Sequence, residues 1–331
     1  MNPRLTKLPV LVISAHSRCN CRCGMCDIWR TTESAQFSID DLRRHWSDVR
    51  TLGVEWVVFT GGEPLLNADI YPMAAMLREA GVRVTVLTTG LLLRRFAHEI
   101  ATNVDDVIVS LDGPRAVHDR IRGVLGAFDQ LAAGVNAVRA IAPDFPIAAR
   151  CTVQRANHDA IVATAEAARA LGLRSISYLA VDVSSAAFNH DAAAYARLSA
   201  SLLLTRAEIA MLDREFRALH AGPLAPIVAE NPAKLDRIVA YFRAMAERRD
   251  PRAPRCNAPW VSAVLDQNGD VRPCFFHAPV GNVRESSLAE VLNSDAAVEF
   301  RRNLDVRTHP ICRRCVCSLY RPQSIPLEAT A

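Results

Sequence analysis

A chain of 331 residues, half of them apolar, is long enough to bury a sizeable core and to build one large domain plus a smaller one. Its formal charge of +4 is small, and Arg alternates with Asp and Glu along the candidate helices, so no nucleic-acid partner is implied. No run reaches the roughly 18 apolar residues of a membrane span, and Met1 to Val10 has no apolar region leading to a cleavage site, so a cytoplasmic protein without a membrane partner is expected.

From residue 9 to residue 181 short apolar runs alternate with longer amphipathic ones, as in parallel strands joined by helical crossovers. Strands are expected at Pro9 to Ser14, Trp56 to Thr60, Arg83 to Thr88, Asp106 to Leu111, Ile147 to Thr152 and Ser175 to Val181. The near-continuous apolar character of Trp56 to Thr60 and Val107 to Leu111 predicts strands covered on both faces. A helix is expected over Ile39 to Leu52, capped by Ser38, with Asp40 and Asp41 in its first turn. Six such units predict an α/β fold, a partial (β/α)6 TIM-like barrel over residues 1–185, with its chemistry on the loops that follow the strands.

The segment 186–250 is Ala- and Leu-rich and predicts a helical connection or lid, with helices at Ala207 to Leu219 and Pro232 to Arg248. Over 251–331 Pro, Gly and Cys become frequent. Val261 to Asp266, Asn268-Gly269 and Val271 to Pro273 predict a hairpin in a small α+β domain stapled by metal.

Ten cysteines without a secretion signal point to metal or redox chemistry rather than disulfides. Four fall at 19, 21, 23 and 26, one at 151, and five at 256, 274, 312, 315 and 317, which suggests two metal sites. Cys19, Cys23 and Cys26 stand in C-x3-C-x2-C spacing on the loop after the first strand. Three thiolates can hold three irons of a four-iron cubane and leave the fourth iron open. The alternatives are a zinc site, which usually needs a fourth ligand, or chance clustering. After the second strand comes Thr60-Gly61-Gly62-Glu63-Pro64. Paired glycines let a ligand approach the backbone, and Glu63 can accept a bond from a cationic amine. An ordinary strand-to-helix turn has the same composition.

With these two motifs the chain resembles the radical S-adenosylmethionine (radical SAM) superfamily, over roughly residues 9 to 181. The resemblance implies a [4Fe–4S] cluster held by Cys19, Cys23 and Cys26, its open iron chelated by the amine and carboxylate of S-adenosylmethionine. An electron from the reduced cluster then yields methionine and a 5'-deoxyadenosyl radical, which takes a hydrogen atom from the substrate. Carried over by position, Gly61, Gly62, Glu63 and Pro64 hold the methionyl moiety, Ser110 contacts cofactor hydroxyls or carboxylate, and Leu179 and Ala180 border the adenine. Met25 stands where many relatives have an aromatic residue near that base, and its polarizable sulfur can pack there. An electron donor such as flavodoxin or ferredoxin is implied as a partner.

Cys21 is read as a small apolar residue outside the ligand register. Asp112 and Arg122, in Asp-Gly-Pro-x3-His118-Asp119-x2-Arg122, hold cofactor or substrate on one reading and are a turn Asp and a surface Arg on the other. Thr88, Thr89, His118, Arg150 and Tyr178 are read as structural.

Cys256-x12-Gly269-x4-Cys274 followed by Cys312-x2-Cys315 resembles the Twitch domain, the single-cluster relative of the SPASM domain. That resemblance implies Cys256, Cys274, Cys312 and Cys315 as the complete ligand set of one auxiliary [4Fe–4S] cluster; a structural zinc site is the alternative. Full SPASM domains need about seven cysteines and this segment has five, so a second auxiliary cluster is not expected. Molybdopterin-pathway cyclases end in two glycines, whereas this chain ends Glu328-Ala329-Thr330-Ala331. Cys151 and Cys317 are read as unassigned thiols, with hydrogen-atom return as the functional alternative.

The expected function is hydrogen abstraction from a small-molecule substrate leading to oxidation, epimerisation or rearrangement. Because the barrel begins almost at once, an amino-terminal peptide-recognition domain is not expected, which puts a ribosomally made peptide second as substrate. A zinc-stapled binding protein without catalysis is the alternative of another class.

Overall fold

The computed structural model describes residues 2–322, so the Glu328 to Ala331 terminus lies outside the described residues. Nine strands form: β1 Val10–His16, β2 Trp56–Gly61, β3 Arg83–Thr88, β4 Asp106–Ser110, β5 Ile147–Val153, β6 Ile176–Ala180, β7 Ser262–Leu265, β8 Asp270–Arg272 and β9 Gly281–Asn282. The chain divides into two compact units. The first gathers the segment ending at Cys19, Thr31–Val86 and the segment beginning at Ala253; the second gathers Asn20–Arg30 and Leu87–Arg252, so the division falls within β3.

In the first unit β1 pairs parallel with β2 on one edge and with β7 on the other, and β2 pairs parallel with the start of β3. The expected hairpin forms as β7 and β8, antiparallel, with β9 added outside it. Gly269, at φ +90° in the hairpin turn, adopts the left-handed backbone that favours glycine there. Thus the amino-terminal strand and the cysteine-bearing carboxyl-terminal segment share one sheet.

The helix expected over Ile39 to Leu52 is two helices, Ile39–Arg44 and Trp46–Thr51. The break falls at His45, whose ring is buried and bonded to the Val283 backbone, with ψ opened to 13°. Ser38 caps the first helix as expected: its Oγ accepts from the Asp41 N–H at 3.1 Å, and Asp41 accepts in return from the Ser38 N–H at 2.9 Å.

In the second unit β4, β5 and β6 run parallel, with Ser110 opposite Arg150, Arg150 opposite Ser177, and Thr152 opposite Leu179. Continuous burial of the strands is corrected by the structure. On β5 Ile147, Ala149, Cys151 and Val153 are buried while Ala148, Arg150 and Thr152 are half-buried, the period-two alternation of a pleated strand. β2 and β4 show the same partial exposure at Trp56, Val58, Ile108 and Ser110. One face of each strand therefore makes core, and the other presents Ser110, Arg150, Thr152 and Ser177.

Helices Arg206–Ala221 and Pro232–Ala246 match the expected pair, and a third, Ala192–Leu202, is capped by Asp191. Pro232–Ala246 packs on β6 and Arg206–Ala221 packs against that helix, with specific bonds to the strand and to the residue that follows it. Tyr241 donates its hydroxyl to the Val181 carbonyl at 3.1 Å, and Glu230 accepts from the Tyr178 N–H at 2.9 Å. Among the described residues no helix is long and apolar enough to cross a membrane.

Candidate functional site

The glycine turn follows β2 in the first unit and lies directly on the chain that leads into Cys19. The Gly62 N–H donates to the His16 carbonyl at 2.9 Å, and the Glu63 N–H donates to the Arg18 carbonyl at 2.9 Å. A Cβ on Gly61 would stand 2.7 Å from the His16 oxygen, and Gly61 also has φ +125°; a Cβ on Gly62 would stand 2.2 Å from the Arg18 oxygen. Both positions therefore exclude a side chain for reasons of space. Glu63 is fully buried and accepts from the Leu65 N–H at 3.1 Å, where Pro64 opens a short 3-10 turn. Asn67, which sequence reasoning missed, fixes this turn by donating to the Ala15 carbonyl at 2.9 Å and the Phe37 carbonyl at 2.7 Å.

The second unit holds the rest of the cysteine loop. Cys23 is buried, and the Arg122 guanidinium approaches its sulfur at 3.8 Å. A bond from Cys21, then the charge of Arg122, lower the Cys23 thiol to about 7 against the opposing effect of burial. The Arg22 N–H donates to the Arg122 carbonyl at 2.8 Å, and Gly123, at φ +64°, ends that helix where a Cβ would meet the Arg22 oxygen at 2.5 Å. Trp29 donates to the Cys23 carbonyl at 3.2 Å.

Arg122 is not a surface residue. It pairs with the fully buried Asp112 at 2.5 Å, and Asp112 also accepts from the Thr152 N–H at 2.8 Å. His118 accepts the Asp112 N–H at 3.2 Å, which needs a neutral ring. Burial, then the charge of Arg122, hold His118 down at about 4. Asp119 accepts from the N–H groups of Gly126 and Phe128 at 2.8 Å each. The whole Asp112 to Gly123 motif thus works as a buried brace behind Cys23, with the structural role read for His118 visible in detail and Asp119 adding to it.

Cys21 is buried, as read. Met25 is buried, with the Gln154 amide 3.6 Å from its sulfur. Ser110 and Leu179 are half-buried on the open face of β4 and β6, near Arg150 and Thr152 in register. Cys151 is wholly buried beside Asn157, and burial raises its thiol strongly, so it packs as an inert residue. Thr89, directly after β3, donates to the Asn20 side chain of the cysteine loop at 3.0 Å.

In the first unit Asn257 joins the two halves of the second cysteine set, a role its sequence context did not announce. It donates to the Arg321 carbonyl at 2.6 Å and accepts from the Arg321 N–H at 2.9 Å, so the segment bearing Cys312, Cys315 and Cys317 is tied beside Cys256. None of the cysteines is in a disulfide. Burial pushes the Cys274 thiol up to about 11. Burial, then the like charges of Cys274 and Cys256, push Cys312 up to about 12, and burial with Cys317, Cys256 and Cys274 raises Cys315 strongly. Half-buried thiols that oppose one another's ionisation become stable thiolates when a cation enters among them, so this donor set fits a soft metal or an iron–sulfur cluster. Against it lies the buried His277, Nε2 at 3.4 Å from the Cys312 sulfur; His277, His309 and Cys312 have donor atoms within 4.8 Å of one another.

Over residues 13–168 the chain matches the radical SAM superfamily, and over residues 256–316 it matches SPASM, an iron–sulfur cluster-binding domain. The AdoMet-dependent heme synthase of Methanosarcina barkeri is 33% identical over 159 residues, 46% of this chain and 45% of that protein. The PqqA peptide cyclase of Ruegeria pomeroyi is 26% identical over 282 residues, 82% of this chain and 69% of that protein. The chain spans less than half the length of the first curated relatives it matches. The crystal structure of Streptococcus suis SuiB bound to S-adenosylmethionine superposes with a TM-score of 0.68 at 14% identity, over 96% of this chain and 74% of that one. That likeness establishes the fold, the α/β partial barrel expected from the sequence. Two separate segments match two domains on independent residues: residues 13–168 match a radical SAM domain and residues 256–316 a SPASM domain, which together indicate S-adenosylmethionine, its [4Fe–4S] cluster and an auxiliary iron–sulfur cluster as cofactors.

Proposed function

We propose that this protein cleaves S-adenosylmethionine reductively and abstracts hydrogen from a small-molecule substrate, with oxidation, epimerisation or rearrangement as the outcome. The observation that carries the reading is the Gly61-Gly62-Glu63 turn seated without side chains on the backbone just before Cys19. Cys19, Cys23 and Cys26 are the proposed ligands of the initiating cluster. When bound, cluster and cofactor together supply the 5'-deoxyadenosyl radical.

The chain's own part is to bind and orient. Gly61 and Gly62 let the turn sit against the backbone that leads into Cys19, and Gly61, Gly62, Glu63 and Pro64 are proposed to hold the methionyl end, with the Glu63 carboxylate as the proposed partner of its amine. The Cys21 bond and the Arg122 charge favour the thiolate form of Cys23, the form that binds iron. Ser110, Met25 and Leu179 are proposed contacts for the rest of the cofactor. Cys256, Cys274, Cys312 and Cys315 are proposed to hold one auxiliary [4Fe–4S] cluster. In this division residues 1–185 initiate, 186–250 connect and 251–331 carry the auxiliary site, in a reducing cytoplasm where a flavodoxin or ferredoxin supplies the electron.

The 33% identity to the heme synthase supports a small-molecule substrate. A peptide substrate is the second reading, favoured by the alignment to the PqqA peptide cyclase across 82% of this chain. The test is anaerobic reconstitution followed by iron, sulfide and 5'-deoxyadenosine analysis. Replacing Cys19, Cys23 and Cys26 by Ala is expected to abolish cofactor cleavage and leave about half the iron, as for two four-iron clusters. Retained cleavage, or zinc without acid-labile sulfide, would refute the proposal. Stimulation of 5'-deoxyadenosine formation by metabolite pools or by peptide pools decides between the two substrate readings.

A further inference from the structure

His277 takes no part in the function proposed above, yet it is one of the most firmly held side chains near the second cysteine set. Its backbone N–H donates to the Cys274 carbonyl at 3.3 Å, and its own carbonyl receives Nη1 of Arg272 at 3.1 Å. Arg272 is in turn fixed by Asp266 at 2.5 Å. The ring is 4% exposed and meets two aromatic edges, Phe300 with centroids 4.9 Å apart and His309 at 4.8 Å. His309 caps the Pro310–Arg313 turn that carries Cys312. The ring is thus wedged between the elements bearing Cys274 and Cys312, and Nε2 is 3.4 Å from the Cys312 sulfur.

A thiolate bound to iron can only accept a hydrogen bond, so a contact at this distance requires the proton on Nε2. With four cysteines already present as ligands, the imidazole is not needed as a fifth. We propose that His277 donates an Nε2–H···S hydrogen bond to the Cys312 thiolate of the auxiliary cluster and thereby raises that cluster's reduction potential. The proposal rests on the assignment of Cys312 to that cluster. Reduction adds negative charge to the cluster sulfurs, and a fixed donor stabilises the reduced form more than the oxidised one. His277 is accordingly a positioning residue for electron transfer, with no contact to substrate required.

The experiment uses the full chain with both clusters loaded and follows each by electron paramagnetic resonance during a redox titration. The initiating cluster is recognised by its response to added S-adenosylmethionine. His277→Phe keeps a ring between Phe300 and His309 but removes the donor. Its auxiliary cluster is expected to be about tenfold less reduced at a given potential, a midpoint lower by about 59 mV for a one-electron couple. His277→Gln, which retains an N–H donor, should recover most of that shift. In the unsubstituted protein, transfer to deuterium oxide should replace an exchangeable proton coupled to the auxiliary cluster. An unchanged midpoint in His277→Phe with iron retained, or absence of the exchangeable proton, would overturn the proposal while leaving the cluster assignment intact. Loss of the auxiliary iron in His277→Phe would also overturn it, by making the imidazole a ligand. Zinc without sulfide at this site would instead remove the cluster assignment and the proposal together.

Discussion

Gly62→Ala is the most demanding test of the cofactor turn. The added Cβ would stand 2.2 Å from the Arg18 carbonyl oxygen and 3.1 Å from the Cys19 nitrogen, and ordinary contact begins at 3.4 Å. The shortfall of about 1.2 Å falls on backbone on both sides, so no side chain can swing away to absorb it. One strand of the contact is the turn that carries Glu63; the other is the chain entering the first cysteine. A displacement of about 1 Å in a positioned constellation costs on the order of 10²-fold in rate. The expected result is a loss of about that size in 5'-deoxyadenosine formation under dithionite, with near-normal iron content. Gly24→Ala is the internal control, because its Cβ would meet nothing within 4 Å although Gly24 lies inside the cysteine loop itself. If Gly62→Ala cleaves the cofactor at the unsubstituted rate with full iron, the close approach has no functional meaning and the reasoning fails.

Arg122→Met removes the guanidinium paired with the fully buried Asp112, and breaking a buried pair from one side costs about 3–5 kcal/mol. The loss should appear in urea unfolding and be largely recovered by adding Asp112→Asn; an unshifted single variant contradicts the brace. His118 gives a pH signature: its ordinary value is 6.5 and the fold holds it at about 4, so the unfolded chain takes up the proton first. Stability is therefore full above pH 6.5 and falls as pH drops toward 4, by about 3 kcal/mol from this group. Stability curves of His118→Asn should be flatter over that window, and an identical slope would dismiss His118 as the source. Asn257→Ala removes both bonds to Arg321 and should cost about 2–4 kcal/mol. Faster proteolysis of the carboxyl-terminal segment and lower auxiliary iron are the readouts; unchanged cleavage and iron would show that Asn257 does not hold the site together.

The strands were legible because each is a short apolar run bounded by turn residues, and every one of the six expected in the amino-terminal part forms within two residues of its expected limits. What misled was burial. Trp56 to Thr60 is apolar enough to suggest two covered faces, but composition does not tell which face meets helices. The helix break at His45 was hidden for a similar reason, since the Val283 backbone that bonds its ring lies far along the chain. Arg122 could be read as a surface residue because helical spacing places an Arg anywhere; only the fold puts Asp112 against it.

The sequence by itself determined the cofactors. Cysteines at three- and two-residue gaps, and a Gly-Gly-Glu-Pro after a strand, are local features whose meaning survives without coordinates, because ligand type and spacing act over a few bonds. Tertiary structure alone decided which groups support those ligands. Asn257 meets Arg321, His277 meets Cys312 and Arg122 meets Cys23 across long stretches of chain. No local pattern encodes such pairs, since each depends on strands and helices brought together by burial of their apolar faces.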